Sequence, residues 1–199
     1  MSDSRTPPRH PAGDRLSPEE ISRLPLLRWQ GTVRLVESDV AVTAALEDLA
    51  RETVLGFDIE VRPAFHKGQK YPPSLLQLAG EHAVWLFRLG AIRDVSGLHG
   101  LLSNPAVIKA GVALRDDLRK LRERHPVEEL GFVELQALST RAGIRENGVR
   151  GLAARVLGGR VDKRAKLANW AAPRLTPAQI DYAATDAWIC RELYLKLRG

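Results

Sequence analysis

Cysteine and long apolar runs are nearly missing from this chain of 199 residues. Cys190 is the single cysteine, so an intramolecular disulfide is excluded and nothing indicates an oxidising compartment. No apolar run approaches the roughly 18 residues that span a bilayer. The N-terminal stretch MSDSRTPPRHPAGDR also lacks a signal-peptide core. Together these absences make a soluble cytoplasmic protein the expectation.

Histidine is scarce as well, and positively charged residues outnumber negatively charged ones. The five histidines are scattered, with no two at the spacing of metal ligands. Thirty Lys and Arg against 24 Asp and Glu give a net charge of +6 and a pI of about 9.8. Such a balance suits a polyanionic partner such as nucleic acid, although many basic proteins bind none.

The length fits one domain with a proper hydrophobic core. Residues 1–15 are rich in Pro, Ser and Arg and have no apolar periodicity, so we expect a disordered N-terminal tail. Residues 16–199 contain no repeat and no linker, which predicts a single domain.

Three neighbouring apolar segments with short links, 53–60, 74–79 and 83–87, predict an antiparallel meander of strands. Helical and strand patterns then alternate, and from Gln136 onward the pattern reads as helices only. The expected fold class is therefore α/β, a mixed sheet with helices on its faces.

Several acidic side chains occur at positions that the sequence pattern predicts to be buried, where a charged group is energetically unfavourable. Asp58 and Glu60 are two apart in a predicted strand, so they leave the same face of the sheet. The simpler interpretation is a strand end that turns polar as it meets solvent. Paired carboxylates on one face also suit Mg²⁺, which takes few protein ligands, all of them oxygens.

A third acid stands on a predicted helix over 113–124. Leu114, Leu118 and Leu121 form one apolar stripe, and Asp117 falls within roughly 60° of its centre. Asp116 falls nearly opposite the stripe, which predicts solvated surface. Asp117 is therefore the candidate for chemistry.

The last predicted helix begins at a capping box, Thr176 to Gln179. Tyr182 and Asp186 are four apart and share its inward face, which continues toward the C-terminus as hydrocarbon. A carboxylate on such a stripe is costly unless it is paired, coordinated or lines a cleft.

Three segments in this order resemble the exonuclease motifs of the DEDD superfamily, in its tyrosine subgroup: FDIE at 57–60, GVALRDDLRKL at 111–121 and YAATD at 182–186. The intervening segments most resemble the exonuclease domains of ribonuclease D and the Werner syndrome protein. The resemblance covers about residues 53–197. It implies a ribonuclease H-like sheet, with an antiparallel meander plus parallel strands.

Carried over position by position, the resemblance implies four metal-binding acids: Asp58, Glu60, Asp117 and Asp186. Tyr182 would stand beside the attacking water. The implied activity is 3′–5′ exonucleolytic hydrolysis with two divalent ions, Mg²⁺ or Mn²⁺, releasing nucleoside 5′-monophosphates. Helix geometry selects Asp117, Tyr182 and Asp186 independently of the resemblance.

Contacts to a DNA or RNA 3′ end are predicted just before the last helix. Lys163, Arg164 and Lys166 are candidates for gripping backbone phosphates, and Trp170 for stacking on a base. A core role for Trp170 is the competing interpretation. The basic residues over 115–124 are interpreted as a solvated face.

Three rival functions are considered. A non-catalytic nucleic-acid-binding domain on the same fold is disfavoured because all four acids and the tyrosine are present. A histidine-type proofreading exonuclease is disfavoured because Tyr182 stands four before Asp186. An endonuclease on the same scaffold would be exposed by a circular substrate.

Overall fold

The computed structural model describes residues 15–66, 68–162 and 164–199. All but the last residue of the predicted N-terminal tail therefore lies outside the described part of the chain. Within these ranges, none of the helices combines the length and the hydrophobicity that a transmembrane span requires.

Six strands form one mixed sheet in the order β1-β4-β3-β2-β5-β6. The strands are β1 (Thr32–Val36), β2 (Val54–Val61), β3 (Pro73–Ala79), β4 (Ala83–Arg88), β5 (Ile108–Gly111) and β6 (Phe132–Glu134). Strands β2, β3 and β4 pair antiparallel, whereas the pairs β1–β4, β2–β5 and β5–β6 are parallel. The predicted meander and the mixed sheet are confirmed.

Helices cover the sheet. They are α1 (Pro18–Arg23), α2 (Asp39–Leu49), α3 (Ser96–Leu102), α4 (Leu114–Arg122), α5 (Leu135–Arg141), α6 (Gly148–Leu152), a π-helical turn (Ala153–Leu157) and α7 (Pro177–Leu197). The expectation of helices only from Gln136 onward is wrong for 158–162 and 164–176, which form turns, bends and one bridge to Leu26. The left-handed Gly158, with φ of 68°, ends the preceding helical segment.

The capping box predicted at the start of α7 is present. The Thr176 hydroxyl accepts from the Gln179 backbone N–H at 3.2 Å, and the Gln179 side chain accepts from the Thr176 N–H at 3.0 Å. The Gln179 amide also donates to the Asn169 carbonyl at 3.2 Å. The start of this helix is thus tied to the turns before it.

Helix α7 lies directly on β2 because small residues line both surfaces. Ala183, Ala184 and Ala187 are fully buried on the helix. A Cβ on Gly56 would collide with the Ala187 carbonyl oxygen and lie 2.8 Å from the Arg191 backbone nitrogen. The strand and helix backbones therefore touch next to Asp58 and Asp186.

The side chains on the two faces of β2 point into different parts of the protein. Phe57 and Ile59 point away from α7 into the largest apolar cluster, under α2, α3 and α4. Gly56, Asp58 and Glu60 point to the other side, where α7 packs. One strand thus anchors the core and presents the acids.

Gly56→Ala is expected to lower the free energy of unfolding by about 3 kcal/mol, because the backbone it would strike has no room to retreat. Urea denaturation measures this change. Gly100→Ala in α3 is the control, since its new methyl group meets nothing within 4 Å; a gain of about 0.5 to 1 kcal/mol is expected. Equal stability of the two variants would contradict the close packing of α7 on β2.

Candidate metal centre

The C-terminal half of β2 presents Asp58 and Glu60, both partly buried, to the cleft beside α7. Opposite Asp58 in the β2–β3 register lies Gln77, which is fully buried. With its amide nitrogen facing β2, Gln77 donates to the Asp58 Oδ2 at 3.3 Å and to the Asp58 carbonyl at 3.0 Å. The neighbouring strand thus holds the Asp58 carboxylate in place.

Helix α7 supplies the second side of the site. Asp186 is only 7% exposed, and oxygens of Asp58, Glu60 and Asp186 all lie within 4.8 Å of one another. One turn earlier on the same helix, Tyr182 borders the same cleft as Asp186. The Tyr182 ring packs 5.9 Å from the Trp170 ring. The structure therefore brings four of the predicted site residues together.

Asp117 borders the same cleft from the first turn of α4. It does not belong to the group of oxygens within 4.8 Å in the described part of the chain. Leu114, Leu118 and Leu121 are buried as the stripe predicts. Asp116 is exposed and pairs with Arg119 at 3.4 Å, which confirms its surface placement.

Burial raises the pKa values of these acids, and for Asp58 and Glu60 the charges of the neighbouring site acids add to it. Burial, then the charges of Asp186, Glu60 and Asp117, raise the pKa of Asp58 well above its ordinary value. Burial, followed by Asp186 and Asp117, raises the pKa of Glu60 to about 8. Burial is also the largest cause that raises the pKa of Asp117 to about 7. The site therefore binds protons tightly in the absence of another cation.

A divalent cation suits this donor set. Carboxylate oxygens are the ligands preferred by hard cations, and a +2 charge relieves the repulsion among acids held this close. Lys120 and Lys166 both lower the pKa of Glu60, so each side chain places positive charge near the acids. They compensate only part of the negative charge.

The acids open onto a cleft of about 400 Å³. Lys166 and Arg150 also border it, together with Asn147 and Gly148 at the start of α6. A cleft with acids at its floor and cations at its rim is suited to a polyanion whose phosphate reaches the floor.

The predicted nucleic-acid contacts have mixed outcomes. Lys163 lies outside the described residues. Arg164 is exposed, but its guanidinium pairs with Asp162 at 2.6 Å. Trp170 is 1% exposed and packs against Tyr182, so a base has no free ring face to stack on. The base-stacking expectation is wrong for this structure, and the core role is the one observed.

Two polar residues of the site were missed from the sequence. Gln77 stands alone among apolar neighbours in a strand, which is a readable sign of a buried partner. Glu134, at the end of β6, accepts hydrogen bonds from the backbone N–H groups of Ala113 and Leu114 at the start of α4. The periodicity of the sequence does not indicate that contact, because it joins the end of β6 to the turn that follows β5.

Comparison with known sequences places this arrangement in a family. A family model described as 3′–5′ exonuclease matches residues 33–199. Exonuclease 3′–5′ domain-containing protein 2 of Drosophila melanogaster is 37% identical over 148 residues, 72% of this chain and 25% of that protein. Ribonuclease D of Acidiphilium cryptum is 32% identical over 169 residues, 83% of this chain and 42% of that protein. The chain thus spans less than half the length of either relative.

Solved structures share the fold. The Aedes aegypti Nibbler EXO domain superposes with a TM-score of 0.79 at 24% identity, covering 86% of this chain and 91% of that one. Escherichia coli RNase D gives a TM-score of 0.75 at 22% identity, covering 84% of this chain and 45% of that one. These likenesses confirm the ribonuclease H-like fold and, with the family match, the DEDD resemblance.

In the presence of a metal chelator, the melting temperature of the wild-type protein is expected to fall by about 5 °C or more as the pH is raised from 5 to 8. Glu60 and Asp117 bind protons more tightly in the folded chain, with pKa values of about 8 and about 7 against ordinary values of 4.5 and 3.8. Their protonation therefore stabilises the fold at low pH, and this stabilisation is lost as the pH rises through 7 to 8. Differential scanning fluorimetry measures the trend.

Glu60→Gln should weaken this fall because glutamine does not ionise. Glu123→Gln, at the exposed end of α4, is the matched control and should keep the wild-type trend. A melting temperature that is flat from pH 5 to pH 8 in the wild type would contradict the raised pKa values.

Proposed function

This chain belongs to the family of 3′–5′ exonucleases, and we propose that it hydrolyses phosphodiester bonds from the 3′ end of a nucleic acid. The observation that carries the proposal is the meeting of Asp58, Glu60 and Asp186 within 4.8 Å at the floor of a cleft. The family match supports this reaction, and the carboxylate group supports a role for divalent cations in it.

Asp58, Glu60, Asp117 and Asp186 would hold two divalent ions, Mg²⁺ or Mn²⁺. When bound, such ions supply charge for activating a water and for stabilising the departing oxygen. The chain's own part is to fix the carboxylates before substrate arrives, through Gln77 on one side and the backbone of α7 on the other. The expected product is a nucleoside 5′-monophosphate.

Tyr182 would aim the attacking water. Burial, followed by the charges of Asp186 and Glu60, raises the pKa of this phenol above its ordinary value. It therefore keeps its proton at neutral pH and acts through hydrogen bonds, not as a base. Its place four residues before Asp186 supports membership of the tyrosine subgroup.

A groove beside the acids is suited to the strand that leads to the 3′ end. The loop after β2 and helix α4 enclose a cleft of about 340 Å³ bordered by Arg62, Lys70, Tyr71 and Lys120. The Arg62 guanidinium lies over the Tyr71 ring at 4.9 Å. Lys120 also influences Glu60, so the groove adjoins the candidate metal centre. Cations interleaved with an aromatic ring are typical of single-strand binding.

The substrate polymer is either RNA or DNA. The Acidiphilium cryptum relative is named ribonuclease D, and the solved Trypanosoma brucei RNase D is bound to RNA. The Drosophila melanogaster relative is named only as an exonuclease domain protein. RNA is therefore the first substrate to test, with DNA beside it.

The proposed activity predicts a ladder that shortens from the 3′ end of 5′-labelled RNA or DNA, in Mn²⁺ or Mg²⁺ and not in chelator. Asp58→Asn should reduce the rate by roughly 100- to 1,000-fold, because it removes a charge from the ion-binding group at nearly unchanged volume. A time course on denaturing gels measures both effects.

Asp116→Asn is the matched control, since it changes an exposed acid on the adjacent helix. Binding of the oligonucleotide without shortening would favour the non-catalytic domain on this fold. Cleavage of a circular strand would favour the endonuclease.

Reversing the charges of Arg62 and Lys70 to Glu should weaken binding of a single strand and flatten its salt dependence. The log–log salt slope should fall by about 1.4, or about 0.7 for each lost phosphate contact. Fluorescence anisotropy in the Asp58→Asn background measures it without cleavage. Arg122→Glu with Arg124→Glu, at the far end of α4 and outside this groove, is the control. An unchanged slope in the groove variant would reject the groove as the binding track.

A further inference from the structure

The turn between β5 and α4 holds a backbone conformation that its residue disfavours. Ala113, the residue before α4, has φ of 61° and ψ of 37°, in the left-handed region. It is the one non-glycine residue with positive φ among the described residues. Side chains with a Cβ rarely adopt this conformation, so something else must hold the turn.

Glu134 provides that hold with both of its carboxylate oxygens. Oε1 accepts from the Ala113 N–H at 3.1 Å and from the Gln136 N–H at 3.0 Å. Oε2 accepts from the Leu114 N–H at 2.8 Å. Glu134 reaches the turn because it pairs with Gly111 across the parallel strands β5 and β6.

The turn has little freedom on its other side. A Cβ on Gly111 would lie 2.9 Å from the Phe57 carbonyl oxygen and would also strike the Leu114 side chain. Leu114 is itself buried, at 4% exposed. The start of α4 is therefore fixed between the backbone of β2 and the Glu134 carboxylate.

Asp117 depends on this arrangement because it lies in the first turn of α4. Of the four candidate ligands it is the one outside the group of oxygens within 4.8 Å. Its reach toward the other acids is set by the direction in which α4 leaves Ala113.

We propose that Glu134 is a positioning residue for the reaction: its carboxylate clamps the left-handed turn at Ala113 and thereby aims Asp117 at Asp58, Glu60 and Asp186. This inference rests on the proposed function. A carboxylate is the required group because the three hydrogen bonds are all accepted. An amide in its place would turn N–H groups toward at least one backbone N–H.

Glu134→Gln tests the clamp at nearly constant volume. The Mn²⁺ concentration for half-maximal activity should rise about 10-fold or more, and kcat should fall about 10- to 100-fold, as when partners behind metal ligands are changed. KM for the oligonucleotide should stay within about 2-fold, because the nucleic-acid groove is untouched. Calorimetric titration with Mn²⁺ alone gives a readout that does not depend on cleavage. Glu129→Gln, which changes a surface carboxylate that borders neither cleft, is the control.

Ala113→Gly supplies the rescue, because glycine adopts the left-handed conformation without a side-chain penalty. In the Glu134→Gln background it should restore Mn²⁺ affinity and kcat by several fold, and alone it should change them less than about 2-fold. If Glu134→Gln fails to fold, Ala113→Val decides, since a β-branched residue strains the same turn. It should reproduce the loss of Mn²⁺ affinity.

Wild-type Mn²⁺ affinity and kcat in Glu134→Gln would overturn the proposal, even if its melting temperature fell. Absence of rescue by Ala113→Gly would overturn it as well. A wild type that binds Mn²⁺ and cleaves nothing would refute the proposed function alone, since the Mn²⁺ titrations of the variants would still report on the clamp.

Discussion

The contact of two backbones, that of α7 and that of β2 at Gly56, is the constraint on which the rest of the structure depends. Ordinary side chains there would separate the strand from the helix by several ångströms. Because Gly56 has no side chain and Ala183, Ala184 and Ala187 have only methyl groups, the acids that follow on each element meet directly. Packing of the apolar core therefore supports the site, because it holds together the two backbones that carry the carboxylates.

Holding these carboxylates close together is electrostatically unfavourable. Asp58, Glu60 and Asp117 all have raised pKa values, and burial is the largest cause for each. Lys120 and Lys166 compensate part of the repulsion. Full compensation by side chains would leave no place for a divalent cation. Incomplete neutralisation is thus what keeps the acids available as ligands.

Much of the fold and of the candidate site could be predicted from the sequence, because the patterns that indicate them involve residues close together in the chain. Periodicity separated Asp117 from Asp116, and the four-residue spacing put Tyr182 and Asp186 on one helical face. The misses are contacts between segments distant in sequence. Glu134 acts on Ala113 only because β5 and β6 pair in parallel register. The burial of Trp170 likewise depends on turns over 164–176 that carry no helical or strand period.

The order in which the site's elements occur along the chain has a consequence for protein synthesis. Asp58 and Glu60 lie on the second strand, whereas Asp186 lies on α7, the last helix of the described domain. A ribosome therefore releases the first two acids long before the third. A chain still being translated would therefore lack the complete carboxylate group. The candidate cation site would be complete only when the final helix docks.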